Sequence, residues 1–265
     1  MNYYRPGSFQ ILPPVVKNLL IINILFFVAT FTLGRFGINL IDLFGLHYFG
    51  SEKFRPFQFF TYMFMHGGFS HILFNMFALW MFGYAIENFW GPKRFLIYYL
   101  VTGIGAALIH YGVFYLEIAH LLNPINNFLN EPSNPDFQQR VAEVLAPYYH
   151  VSGLDISRSL TAADVSVDMV ESFKTELLNT PVVVGASGAV FGILLAFGMM
   201  FPNSPIYIYF LFPIKAKYFV ILYGVLELFT GISRMGESNI AHFAHVGGML
   251  FGFILLKYWK VRRLN

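Results

Sequence analysis

Long apolar runs, broken at intervals by charge, proline or glycine, dominate the chain. A helix that crosses a bilayer needs about 20 mostly apolar residues, with roughly 17 to 25 the usual range. Six stretches fit: residues 15–33, one within 57–86, 95–116, one from near Ser187 to before Pro202, 218–232, and 240–256. The stretch 57–86 carries no charge and is too long for one span. Gly67 and Gly68 divide it, so its early part is predicted to lie in the interface or a loop, with the span after it. The pattern predicts an all-α membrane protein, a bundle of six transmembrane helices.

Residues 117–180 break the pattern. They hold nine acidic and three basic residues, and NPINNFLNEPSNPDF is rich in Pro and Asn and reads as loop. Within TAADVSVDMVESFKTELL, Val165, Met169, Val170, Phe173 and Leu177 recur at helical spacing. Thr161 and Asp164 form a capping-box-like start. One amphipathic helix is expected there and a second around residues 137–145. The expected organisation is an N-terminal tail (1–14), a six-span domain (15–256) with an outer-side insertion (117–180) between helices 3 and 4, and a basic tail (257–265). The insertion either lies over the bundle or governs substrate access.

Composition agrees with a membrane protein. Hydrophobic residues make up 57% and charged residues 12%, about half the charge of a soluble domain. There are no cysteines, which excludes disulfides, zinc–thiolate sites and thiol switches. The net charge of +3 is small, and its distribution says more. Six spans put both termini on one side, and Lys and Arg favour cytosolic loops. With a cytosolic N-terminus, Arg5, Lys17, Lys93, Arg94, Lys215, Lys217, Lys257, Lys260, Arg262 and Arg263 fall inside, ten of the 17 basic residues. The tail KYWKVRRLN, with Trp259, suits an interfacial anchor. No small-residue cleavage site is evident after residues 1–14, so the first apolar run is expected to stay as a span. The expected location is a bacterial cytoplasmic membrane, with both termini cytosolic. The expected partners are the lipid bilayer and transmembrane proteins, not nucleic acid.

Polar groups are costly inside a bilayer, so those in the spans are candidates for function. Ser187 stands in VVVGASGAVFG, at the predicted start of the fourth span. Gly185 permits a tight turn, while Gly188 and Gly192 permit close approach of another helix. A helix start offers free N–H groups and a positive dipole end, the parts of an oxyanion hole. The other reading is a packing motif with an incidental N-cap serine. In AHFAHVGGMLFG, His245, Gly248 and Gly252 fall at i, i+3 and i+7 and share a face. That small face suits the small face of the fourth span, and a neutral imidazole beside a hydroxyl is the minimal base and nucleophile pair.

HGGFSHILFN places His71 and Asn75 at i and i+4. Both can donate to an oxyanion, or simply make contacts between helices. His66, earlier in the same stretch, reads more readily as structural. Glu87 is expected to pair with Lys93 or Arg94. Glu227 lies inside the fifth span with no partner evident in the sequence, which makes it the residue a proton-coupled transporter would use. No internal repeat supports that rival.

Together these segments resemble the rhomboid family of intramembrane serine proteases. GASGAVFG is similar to that family's GxSGxxxG, HILFN to its HxxxN, and AHVGGMLFG to its histidine-bearing GxxxG helix. IENFWGPKRFLIYYL resembles its link between the second and third spans. The resemblance implies a serine endopeptidase that cuts membrane-anchored substrates near the outer side of the bilayer. It implies Ser187 as nucleophile and His245 as base, with Asn75, His71 and the Ser187 N–H as the oxyanion hole. It implies a dyad with no acidic third member, and no Asp or Glu is placed in sequence to orient His245. No cofactor is implied, and no metal, since the histidines lack a carboxylate or thiol cluster in sequence. The alternative is a non-catalytic rhomboid-like protein that binds transmembrane helices. Two departures stand out: Phe54-Arg55 occupies the place of the family's Trp-Arg pair, and the link between spans three and four is long.

Overall fold

The computed structural model describes residues 9–149, 160–180, 182–208, 211–233 and 240–263. Residues 1–8 of the N-terminal tail, 150–159 of the insertion and 264–265 of the basic tail lie outside them. The elements in chain order are α1 (Pro14–Gly34), α2 (Leu40–Phe44), β1 (Leu46–His47), α3 (Gln58–Thr61), a 3₁₀ turn (Tyr62–Phe64), α4 (Phe69–Trp90), α5 (Pro92–Asn130), α6 (Pro135–Tyr149), a second 3₁₀ turn (Ala162–Asp164), α7 (Val167–Asn179), β2 (Val182–Val183), α8 (Ser187–Met200), β3 (Pro205–Ile208), β4 (Phe212–Lys215), α9 (Ala216–Ser233) and α10 (Ile240–Tyr258). Among the described residues the protein is thus mostly helical, with two small departures from an all-α plan. Leu46–His47 pairs antiparallel with Val182–Val183, and β3 pairs antiparallel with β4.

The chain forms two compact units, one of residues 1–47, 53–111 and 182–265, the other of residues 48–52 and 112–181. In the first, α8 is enclosed by neighbours. It packs against α4, α9 and α10, and ten of the thirteen residues from Gly188 to Met200 are buried, the other three half-buried. Burial on all sides explains why its sequence is apolar all round. By contrast α1 and α9 leave large apolar side chains exposed, among them Leu25, Val28, Ile221, Val225 and Phe229. Among the described residues four helices, α1, α4, α5 and α9, are long and apolar enough to cross a membrane. The fourth predicted span, α8, has 14 residues.

Two buried polar groups order this unit. Glu87 accepts from the N–H groups of Val15 and Val16 at 2.9 and 2.8 Å, so one carboxylate caps the start of α1 from α4. Free N–H groups and the positive end of a helix dipole favour an anion there. The expectation that Glu87 serves Lys93 or Arg94 misjudged that demand; the Arg94 guanidinium lies over the Trp259 ring, 4.4 Å from its centroid. Gln58, fully buried, ties the loop after β1. Its oxygen accepts from Arg55 N at 3.0 Å, and its amide donates to Lys53 O and Leu43 O. At the departure from the Trp-Arg pattern, the Phe54 ring packs edge-on against Phe59.

The second unit corrects the loop expected over residues 123–137. The helix α5 continues through Pro124 to Asn130. Leu121, Ile125 and Phe128 of that extension form a core with Val141, Leu145, Leu160 and Val170. Burying these side chains offsets the lost hydrogen bond of one proline. The capping box of Thr161 and Asp164 forms, but it opens the 3₁₀ turn. The helix itself starts at Val167, capped by Ser166, whose hydroxyl accepts from Met169 N at 3.3 Å. Met169, Phe173 and Leu177 pack on the same core, and α6 supplies the second expected helix.

Candidate active site

The site is assembled by α4, α8, α9 and α10 of the first unit. Ser187 is the first residue of α8. Its hydroxyl lies 2.9 Å from Nε2 of His245, within hydrogen-bonding distance. The turn before it depends on Gly185, whose φ is +120°, a region open to glycine. A side chain there would also meet the His71 ring, with a Cβ 2.7 Å from its Nε2. The bare backbone of Gly185 therefore lets the imidazole of α4 lie against the loop that presents Ser187. The first N–H groups of α8 have no carbonyl one turn before them and remain available.

The glycine stripe brings α10 in. A Cβ on Gly248 would collide with the carbonyl oxygen of Gly188, and one on Gly252 with the hydroxyl of Tyr98. That hydroxyl donates to Gly192 O at 2.8 Å. The backbones of Gly188 and Gly192 meet the glycine stripe of α10, while a Cβ on either would strike Ala106 or Thr102 of α5. Small residues thus let α10 touch α8 backbone to backbone and let side chains of α5 pack directly on the backbone of α8.

His245 is fixed on three sides. Its ring stacks on Phe191, centroids 4.2 Å apart and planes 8° from parallel. Its Nδ1–H donates to Glu227 Oε2 at 2.9 Å. The neighbouring His242 donates its Nδ1–H to the same oxygen at 2.7 Å. This overturns the expectation that no acid stands beside His245. Antiparallel packing of α9 on α10 closes 18 residues of chain separation, which spacing along the sequence does not register. It also removes the observation behind a transporter, since Glu227 has partners. Phe191 was not singled out from sequence, although its place four residues after Ser187 puts it on the same helix face.

The expected lack of a carboxylate near the histidines is corrected as well. Glu227, His242 and His245 offer ligand atoms within 4.8 Å of one another and could hold a cation. The two short contacts are accounted for as hydrogen bonds, because a carboxylate only accepts. Coordination through both Nδ1 atoms would first require both protons to leave.

The remaining predicted residues lie on α4. Asn75 is buried and donates one amide hydrogen to His71 O at 3.0 Å; the amide carries a second hydrogen. His71 sits edge-on to His66, ring centroids 5.0 Å apart. His66, in the loop before α4, is pushed down to about 4, by burial first and by the neighbouring His71 second. It presents a neutral ring to His71 above that pH.

Residues 53–118 and 156–261 match the rhomboid domain family. The chain belongs to the rhomboid family. With its long apolar helices, this rhomboid is an integral membrane protein. An uncharacterized mitochondrial rhomboid protein of Schizosaccharomyces pombe is 26% identical to it over 208 residues, 76% of this chain and 51% of that protein. The mitochondrial RHOMBOID-like protein 12 of Arabidopsis thaliana is 27% identical over 190 residues, 71% of this chain and 42% of that protein. The rhomboid protease GluP of Bacillus subtilis is 43% identical over 44 residues, 17% of this chain and 9% of that protein. The chain spans about half the length of these two mitochondrial relatives. Both of those are named as mitochondrial, so the expected bacterial cytoplasmic membrane has no support from them.

Proposed function

We propose that this rhomboid is an intramembrane serine endopeptidase that cuts membrane-anchored protein substrates. The observation that carries the reading is the 2.9 Å hydrogen bond from Ser187 Oγ to His245 Nε2, at the start of a buried helix. In the proposed reaction the Ser187 oxygen attacks the scissile carbonyl while His245 Nε2 takes its proton. In this reading the oxygen of the tetrahedral intermediate is stabilised by the Ser187 N–H and by side-chain donors of Asn75 and His71. His245 then protonates the leaving amine. A water, activated by the same nitrogen, releases the acyl group and regenerates the serine.

We propose the six-helix plan of α1, α4, α5, α8, α9 and α10, with both termini cytosolic and the site toward the outer side. At 1.5 Å per residue α8 is about 21 Å long, against a hydrocarbon core of about 30 Å. A helix that ends at the cytosolic interface and begins, at Ser187, short of the outer one supports a serine held below the outer surface. The family match leaves out residues 119–155, in keeping with an insertion between the third and fourth spans.

The names of the two long matches, one uncharacterized and one rhomboid-like, favour a second reading: a protein that binds transmembrane helices without cutting them. A fluorophosphonate probe separates the two in detergent. Labelling of the wild type, absent in Ser187→Ala, together with cleavage of a model transmembrane substrate, is the expected result. An unlabelled wild type that still captures the substrate would establish the binder instead.

A further inference from the structure

Three hydrogen bonds run in series through this site, and the proposed dyad uses one of them. Glu227 is buried on α9. Its Oε2 takes the Nδ1–H of both His242 and His245, while Nε2 of His245 faces Ser187. We propose that Glu227 is a positioning residue for His245, so that Ser187, His245 and Glu227 work as a triad, braced by His242. The proposal rests on the protease reading above.

A carboxylate has acceptors only, so each imidazole facing it presents Nδ1 as the donor. A neutral ring carries one proton, so Nε2 of His245 is left with a lone pair. That is the atom Ser187 reaches, and it needs the lone pair to receive the hydroxyl proton. Without Glu227, either ring nitrogen could hold the proton, and the Nε2–H form cannot act as base. A second effect follows once the proton moves. His245 becomes an imidazolium, and the carboxylate 2.9 Å from its Nδ1 stabilises that charge where water is scarce. Phe191, parallel to the ring, holds its plane but offers no such charge.

His242 shares the oxygen from one turn away. It limits the rotations open to the Glu227 side chain, so the acceptor stays aimed at His245. The other polar groups near the pair are Tyr223 of α9 and His71 of α4. Neither is a carboxylate, which leaves Glu227 as the acid at this site among the described residues.

The test is Glu227→Gln, isosteric and uncharged, beside Glu227→Ala, in full-length protein in detergent. Turnover of a model substrate should fall by roughly 10²-fold or more in both, with KM and substrate capture little changed. Nitrogen-15 histidine NMR of the wild type should place His245 in the Nδ1–H form, and Glu227→Ala should shift it toward Nε2–H. The NMR reading of the wild type stands even where a variant fails to fold. A wild type that labels with fluorophosphonate while Glu227→Gln turns over at an equal rate overturns the triad and leaves the protease reading intact. A wild type that does not label at all removes the protease reading first. Nε2–H at His245 in the wild type also overturns the proposal. So does loss of labelling in EDTA that zinc chloride restores, since the three side chains would then hold a metal.

Discussion

Replacing Gly248 by alanine probes whether a backbone contact between two helices sets the reactive geometry. Gly248 lies one turn after His245, and a methyl there would run into the carbonyl oxygen of Gly188, the residue after the serine. Ordinary contact between such atoms is about 3.5 Å or more, so α10 must move away from α8 by more than about 1 Å. Gly188 cannot easily yield, because Ala106 of α5 closes its other side. Over-packing of this kind costs about 1–3 kcal/mol. A shift of about 1 Å between reacting groups can cost 10²-fold in rate. We expect Gly248→Ala to lower the thermal midpoint in detergent and to slow fluorophosphonate labelling of Ser187 by about 10²-fold. Gly112→Ala is the control. It lies inside α5 with nothing within 4 Å of its would-be Cβ, and removing a helical glycine stabilises by up to about 1 kcal/mol. Its labelling rate should match wild type. A Gly248→Ala variant that labels as fast as wild type and melts no earlier would refute the reasoning.

Two further substitutions sort the roles around the serine. Asn75→Ala should reduce turnover by about 10²- to 10³-fold, the loss typical of one oxyanion donor, while substrate capture persists. Lost capture with unchanged single-turnover chemistry would assign Asn75 to structure instead. His245→Ala should eliminate both labelling and proteolysis, because it removes the atom 2.9 Å from the Ser187 hydroxyl. His242→Ala should keep substantial activity with a moderate loss, because its bond goes to Glu227. The reverse order of severity would mean that the base has been misassigned.

The sequence by itself determined the long apolar helices and the start of α8. Apolar runs of membrane length placed α1, α4, α5, α9 and α10, and the short frame around Ser187 marked the first residue of α8. Glycine spacing singled out His245 from His242, because only residues three and seven positions ahead of it are small enough to let a neighbour touch. These are local signals, set by periodicity and side-chain size. The continuation of α5 through Pro124 was not local: the proline and asparagines speak for a loop, and the core made with α6 and α7 outweighs them. Glu87 was hidden for a similar reason. The nearest charges in sequence, Lys93 and Arg94, are basic, yet the groups it satisfies are N–H atoms about 70 residues earlier. Only tertiary structure decided the partner of Glu227. A lone acid in an apolar helix announces that it needs a hydrogen-bond donor, but which donor depends on how α9 lies along α10. That packing turns a residue without a sequence neighbour into the acceptor for two histidines, one of them hydrogen-bonded to the serine.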